Sequence, residues 1–269
     1  MASRNPAFSK SPAFRPNNRA AFAGSVATTS GDLETLYQSP AATAADTDRM
    51  TYDDTIGKTA LIFLVLLAAS GIGWVFPALA IPGAIAGFVL AMINAFKRVP
   101  SAPLIFAYAA TEGLFVGGIS HLFEQMWGGI VIQAVLGTLV VFGVTLALFA
   151  SGKIRASKRA TKIFLIAMVG YVIFSLVNVG LMMFGGVSSS LAFGLRSQAT
   201  IFGIPLGIVI GLAAILMAAY SLVLDFDFIK NGVANRAPRA YGWYGAFGLM
   251  VTIVWLYIEM LRLFAIARN

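Results

Sequence analysis

The chain reads as an all-α polytopic membrane protein, seven transmembrane helices in a bundle, and three observations carry that reading. Of its 269 residues, 59% are hydrophobic and 11% charged, with a mean hydropathy of +0.84, whereas soluble domains carry roughly 25% charged residues. Seven apolar stretches of membrane-spanning length follow one another from residue 59 onward. The basic residues gather in alternate loops between them. There is no cysteine and one histidine, which excludes disulfides, thiolate nucleophiles and His-cluster zinc sites. The net charge of +8 would suggest nucleic acid in a soluble protein, but no basic stripe interleaved with aromatics is present, so no nucleic-acid partner is expected.

Residues 1–58 are polar and small, rich in Ala, Ser, Thr, Asn and Pro. They offer too little apolar surface to offset the entropy of ordering, which predicts a mostly disordered tail. The echo of Asn5-Pro6-Ala7-Phe8 in Ser11-Pro12-Ala13-Phe14 is either a docking motif or a chance repeat. No apolar run with a cleavage site precedes residue 59, so no signal peptide is expected. Thr51 to Asp54 suits a helix N-terminus, with acids at the positive end of the dipole. The membrane domain then covers 59–269, with apolar runs at about 59–76, 79–96, 103–123, 128–150, 163–184, 200–226 and 242–265. Each is long enough as a helix to cross a hydrocarbon core of roughly 30 Å. Barrel strands would alternate at every second residue, and these runs are apolar on all sides.

Orientation follows from the positive charges. Sixteen of the nineteen basic residues fall in the tail and in the second-third, fourth-fifth and sixth-seventh loops, leaving Arg196, Arg262 and Arg268 for the other side. This places the N-terminus in the cytoplasm and, after seven crossings, the C-terminus outside. Glycines four apart, Gly83 and Gly87, Gly113 and Gly117, and Gly203, Gly207 and Gly211, mark faces where helices approach closely, within the bundle or between subunits. Pro205 is expected to kink the sixth helix.

Six of the eleven acids lie in the tail. Glu124, beside His121, reads as a solvated helix end, and Asp227, near Lys230, as a surface carboxylate. Glu112, Asp225 and Glu259 fall inside apolar runs, where a charge costs roughly 2.5 to 3.5 kcal/mol and marks a cavity, a partner or a pathway. Glu112 is expected near the midplane, Asp225 toward the cytoplasmic end and Glu259 in the outer part, a vertical series rather than a cluster. Each also has a purely structural reading. Glu259 has Arg262 at i+3 for a local ion pair, Glu112 suits a protonated carboxyl bonding between helices, and Asp225 suits a pair with Lys230.

The stretch Tyr108-Ala109-Ala110-Thr111-Glu112-Gly113-Leu114, the segment Gly137-Thr138-Leu139-Val140-Val141-Phe142 and the stretch Leu224-Asp225-Phe226-Asp227-Phe228-Ile229 resemble elements of the Bax inhibitor-1 family, also called TMBIM or YccA-like. The likeness runs from about residue 59 to the C-terminus and is closest to bacterial members with a long N-terminal tail. It implies a bacterial plasma-membrane protein. It also implies a proton-sensitive calcium leak in which an aspartate of the sixth helix shares a proton with one of the seventh. Asp225 matches the first. The second falls on Thr252 in an ungapped pairing, or on Glu259 if Leu256-Tyr257-Ile258-Glu259 answers to the family's Leu-Tyr-x-Asp. Glu112 departs from the family, where a small polar residue usually precedes Gly-Leu.

The resulting expectation is a pH-sensitive calcium leak channel or transporter, not an enzyme. It needs no cofactor, and calcium is the transported or transiently bound ion. Asp225, Glu259 and Glu112 are its proton- and cation-sensing residues, Thr252 and Asp227 are secondary candidates, and Asp225 and Glu112 hold calcium transiently. Carboxylates suit that task because calcium takes oxygen ligands and two nearby carboxylates choose between a cation and a shared proton. Two other classes remain open. One is a non-conducting regulator that binds another membrane protein, such as a membrane protease, through the tail. The other is a proton-coupled transporter. An intramembrane aspartyl protease needs two aspartates at one depth, and a retinal receptor needs a lysine in its last helix; neither is present.

Overall fold

A computed structural model describes residues 48–184, 193–198, 200–201 and 203–268. Within them seven helices have the length and apolar character to span a membrane. They are α1 Tyr52–Val75, α2 Ala80–Phe96, α3 Ala102–Met126, α4 Ile130–Ala150, α5 Lys158–Met183, α6 Leu206–Ala234 and α7 Gly242–Arg268. Residues 1–47, including the expected tail and its repeated Pro-Ala-Phe, lie outside the described residues.

Local chemistry sets the helix ends. Thr51 caps α1 by accepting from the Asp54 amide at 3.2 Å, and Asp53 and Asp54 occupy the first turn. The helix therefore begins ahead of residue 59, and the segment from Asp48 belongs to the helical unit rather than to the tail. Pro77 ends α1 and opens the 3-10 turn Pro77–Leu79 that leads into α2. Pro103 stands in the first turn of α3, where its missing N–H is not needed. Ser157 caps α5 by accepting from the Ala160 amide at 3.2 Å.

The sixth helix departs from expectation. Thr200–Ile201 and Ile204–Pro205 form a short antiparallel hairpin, with Gly203 at φ +80° in its turn. Pro205 is the N-cap of α6 and does not kink it. Proline lacks the N–H a helix interior requires but is tolerated at a helix start. Hydropathy cannot separate an apolar hairpin from an apolar helix, which is why the run read as helical from residue 200. At its far end α6 continues to Ala234, beyond the expected stop at 226.

The core is built around α7. In its most apolar stretch 61% of residues are buried, against 6% for α5. It packs against α6, α4, α1 and α3, while α3 also packs closely on α1 and α2. The glycine pairs serve these contacts. A Cβ at Gly113 or Gly117 would collide with the carbonyl of Leu66 or Ser70 on α1, and one at Gly83 would lie 2.8 Å from the Thr111 carbonyl oxygen of α3. Gly207 and Gly211 face Ile266 and Leu263 of α7. These faces are thus used within the chain, except at Gly203, which lies in the hairpin turn ahead of α6 and where an added Cβ meets nothing within 4 Å. On the outside, Leu64, Leu67, Ile85, Phe88, Leu139, Val140, Ile163, Ile166 and Leu176 are more than half exposed, an apolar belt suited to lipid.

One end of the bundle carries the basic loops, and it is tied together. Asp54 pairs with Lys58 at 2.5 Å and with Arg239 at 2.8 Å. Lys58 also donates to the Arg239 carbonyl at 2.7 Å, and Met50 and Ala237 share a backbone bond of 2.8 Å. The start of α1 is therefore fastened to the α6–α7 connection. At the opposite end Glu124 is more than a solvated terminus. Its carboxylate accepts from the amides of Gly129 at 2.5 Å and Val131 at 3.0 Å, satisfying free N–H groups at the start of α4. Arg268 donates there to the Gly128 carbonyl at 3.0 Å and to Gln133 Oε1 at 2.8 Å, so the end of α7 and the α3–α4 loop share one side.

Gly113→Leu should push α1 off α3 and lower unfolding stability in detergent by about 1–3 kcal/mol, the usual cost of overpacking. Gly143→Ala and Gly170→Ala, where an added Cβ meets nothing within 4 Å, should not lower it, since alanine favours a helix interior over glycine. Chemical denaturation of the purified variants checks both.

Candidate functional site

The polar groups of the interior lie in two layers. Glu112 is ten residues into α3 and Thr252 ten into α7, and Asp225 is nine residues from the end of α6, so by helix rise all three stand about 14 to 15 Å from the basic end. Asp225 is therefore level with Glu112, not nearer the end of its helix. The continuation of α6 to Ala234 moves it inward, and the expected vertical series becomes one mid-bundle layer with Glu259 above it.

Within that layer Asp225 is held across the α6–α7 interface. The Thr252 hydroxyl donates to Asp225 Oδ2 at 2.7 Å, and Ser221, one turn before Asp225, lies 3.2 Å from the same hydroxyl. Because Thr252 has a single proton to give and gives it to the carboxylate, Ser221 is the donor in the second bond. Gly248 leaves space for the carboxylate, since a Cβ there would stand 2.7 Å from Asp225 Oδ1. Lys230, the partner suggested by spacing, makes no ion pair with Asp225 among the described residues.

Glu112 belongs to a different interface. Its Oε2 lies where a Cβ of Gly87 would be, 2.6 Å from that position, so the side chain rests on α2. Tyr108, one turn earlier, is buried with its ring against Phe247 of α7 at 5.1 Å. Asp225 and Glu112 share a level but no hydrogen bond joins them, and among the described residues no three His, Cys, Asp or Glu side chains gather. Calcium wants six to eight oxygens, whereas each of these carboxylates stands alone on its own helix pair.

Glu259, seven residues beyond Thr252 and so roughly 10 Å farther along α7, is fully buried. Its Oε1 accepts from Arg262 at 2.8 Å, from the Trp255 indole at 3.3 Å and from the Tyr171 hydroxyl. Arg262 in turn reaches Tyr171 at 3.2 Å. The local ion pair foreseen from the i+3 spacing is present, with a bond from α5 added to it. Asp227 sits near the basic end, bonded to Asn231 at 2.9 Å and lining a cleft with Lys158 and Lys162. Its hydrogen-bond partner is this neighbour one turn on.

Sequence reading passed over Ser221, Tyr171 and Arg196. Ser221 carried a usable signal, a hydroxyl four residues before Asp225 on the same helix face. Tyr171 is an aromatic in an apolar run and gave none. Arg196 read as a loop cation, yet it is 2% exposed.

The fold and its interior define a seven-helix integral membrane protein with isolated carboxylates, each partnered by hydroxyl, guanidinium or glycine. A family model described as Bax inhibitor 1 like matches residues 5–269, and the chain belongs to that family. The match takes in most of the N-terminal segment that the motif resemblance left uncovered. No curated protein matches the chain.

Arg262→Gln should leave Glu259 buried without its cation and destabilise the protein by about 3 kcal/mol, the scale for breaking a buried pair. The double variant Glu259→Gln with Arg262→Gln should recover part of that loss. Equilibrium unfolding of the three proteins in detergent measures both effects.

Proposed function

We propose that the protein is a pH-sensitive calcium leak channel or transporter in which Asp225 is the group that exchanges a proton for the cation. What supports the reading is the Ser221–Thr252–Asp225 string, a lone carboxylate at mid-membrane depth held only by hydroxyls. Among the described residues no fixed cation neutralises this carboxylate, which leaves the task to a passing cation or a proton. Glu259 is tied to Arg262 and does not share a proton with Asp225, which favours Thr252 over Glu259 as the partner across the interface. The hydroxyl donates to the ionised carboxylate and keeps it aligned. Protonation removes the charge that attracts the cation, so flux falls as the medium becomes acidic. Glu112 acts separately at the α2–α3 interface. The basic end faces the cytoplasm of a bacterial plasma membrane, in keeping with the positive-inside rule.

The test is calcium flux from purified protein in liposomes at neutral and acidic pH. Asp225→Asn should reduce the neutral-to-acidic flux ratio by about tenfold, equivalent to ~1.4 kcal/mol at the barrier. Thr252→Val should reduce it less. Unchanged flux in Asp225→Asn at both pH values would sink the proposal. A cation flux that appears only against a proton gradient, and a matching proton flux, would instead identify a proton-coupled transporter. Removing residues 1–47 should leave flux intact, and a phenotype lost with flux preserved would point to a regulator acting through the tail.

A further inference from the structure

The layer that contains Glu259 also contains a buried cation with no counterion among the described residues. Arg196, in the single helical turn Leu195–Gln198 between α5 and α6, is 2% exposed. Its Nη2 donates to Ser175 at 2.9 Å, and its guanidinium lies over the rings of Tyr171 and Phe174 at 5.3 and 5.5 Å. Its Nη1 has no partner among the described residues. The sequence has no acid between Glu124 and Asp225, so the whole stretch around Arg196 cannot supply one. Glu259, the nearest candidate on α7, is already committed to Arg262. A buried guanidinium in that position calls for an anion.

There is room for one. Arg196, Arg262 and Glu259 all line a cavity of about 410 Å³, together with Tyr171, Asn178 and Phe193. Two arginines and one glutamate give its wall a net charge of +1. Among the described residues Glu259 Oε2 is also buried and unpartnered, so the same side chains lack one hydrogen-bond donor as well as one anion. Orphaned polar atoms of this kind are costly unless something outside the protein chain completes them.

Depth narrows the chemistry. Asn178 and Arg262 are each twenty residues from the basic-end start of their helices, roughly 30 Å along, which is the thickness of the hydrocarbon core. The cavity therefore lies in the outer part of the bundle, toward the opposite headgroup layer. Nearby, α5 exposes Val172, Leu176 and Val179 to the membrane. We propose that this cavity binds a singly charged phosphate ester that also carries a hydroxyl or ammonium donor. The phosphate completes Arg196 and Arg262, whose planar forks suit its oxygens, and the donor completes Glu259. Either a phospholipid headgroup or a free glycerophosphodiester presents this chemistry. The site is separate from Asp225, and binding to it does not depend on whether the protein conducts cations.

Native mass spectrometry of the full-length protein in detergent tests the proposal, with phosphatidylglycerol, phosphatidylethanolamine and phosphatidylcholine titrated in turn. Phosphatidylglycerol should bind as a single tight adduct, phosphatidylethanolamine less tightly and phosphatidylcholine least, because choline has a cation but no donor for Glu259. Arg196→Met should weaken the phosphatidylglycerol adduct by about tenfold, a typical loss for one charge-assisted contact, and Arg196→Lys should restore part of it. Val179→Trp, which narrows the cavity from its rim without touching an arginine, should weaken it too. Competition by glycerophosphoglycerol, the soluble diester of the same headgroup, would show that the polar group suffices and a soluble ester can be the source. Its failure to compete, with the lipid order retained, would assign the site to lipid. Equal binding of all three lipids, or binding unchanged in both Arg196→Met and Val179→Trp, overturns the proposal. The lipid order in the unmodified protein is read whether or not a variant folds.

Discussion

Enclosure of α7 by its neighbours is the constraint on which the rest of the molecule depends. Lipid tails are as apolar as leucine, so helices in a membrane gain little by hiding apolar surface from one another. Association rests on close packing and on polar contacts. In this chain α3 lies on α1 through Gly113 and Gly117 and on α2 through Gly83 and Gly87, forming a tight three-helix wall. With α4 and α6 that wall surrounds α7, and α7 presents Gly248, Thr252 and Glu259 along its length. Asp225 and Tyr171 are bonded to α7, and Thr252, Glu259 and Arg262 belong to it, whereas Glu112, Asp227 and Arg196 are held by other elements.

That enclosure explains why the interior acids are tolerated. Asp225 is satisfied by two hydroxyls in series, Glu259 by a guanidinium, an indole and a phenol, and Glu112 has only the space above Gly87. These are three different electrostatic situations. A carboxylate held by hydroxyls keeps its charge available to a mobile ion. One paired with a neighbouring arginine does not. The difference separates Asp225 from Glu259 despite their similar appearance as lone acids in apolar helices.

Much of the fold was legible in the sequence because the bilayer imposes a length and a composition on every spanning helix. The seven runs, the cap at Thr51 and the sharing of one end by the basic loops could all be read from residue order. The ends of the sixth run could not. Residues 200–205 are as apolar as the helix that follows, yet they form a hairpin that turns at Gly203 and stops at Pro205. Hydropathy reports solubility in lipid and is blind to whether the backbone bonds to itself or to a neighbouring strand. The extension of α6 to Ala234 escaped notice for the opposite reason. Asp227, Lys230 and Asn231 are polar, and a helix that leaves the hydrocarbon no longer has to be apolar.

For the site, sequence alone determined which residues are chemically out of place: Glu112, Asp225 and Glu259 in apolar helices, and Arg262 one turn from Glu259. It did so because the energetic penalty for an intramembrane charge depends on position along one helix. Tertiary structure decided what each of them touches. Thr252 meets Asp225 from a different helix, Tyr171 reaches Glu259 across 88 residues of chain, and Arg196 folds from a connecting turn into a buried aromatic cradle. Those pairings depend on helix rotation and approach, which are set by glycine contacts among five helices at once, and no local pattern of residues encodes them.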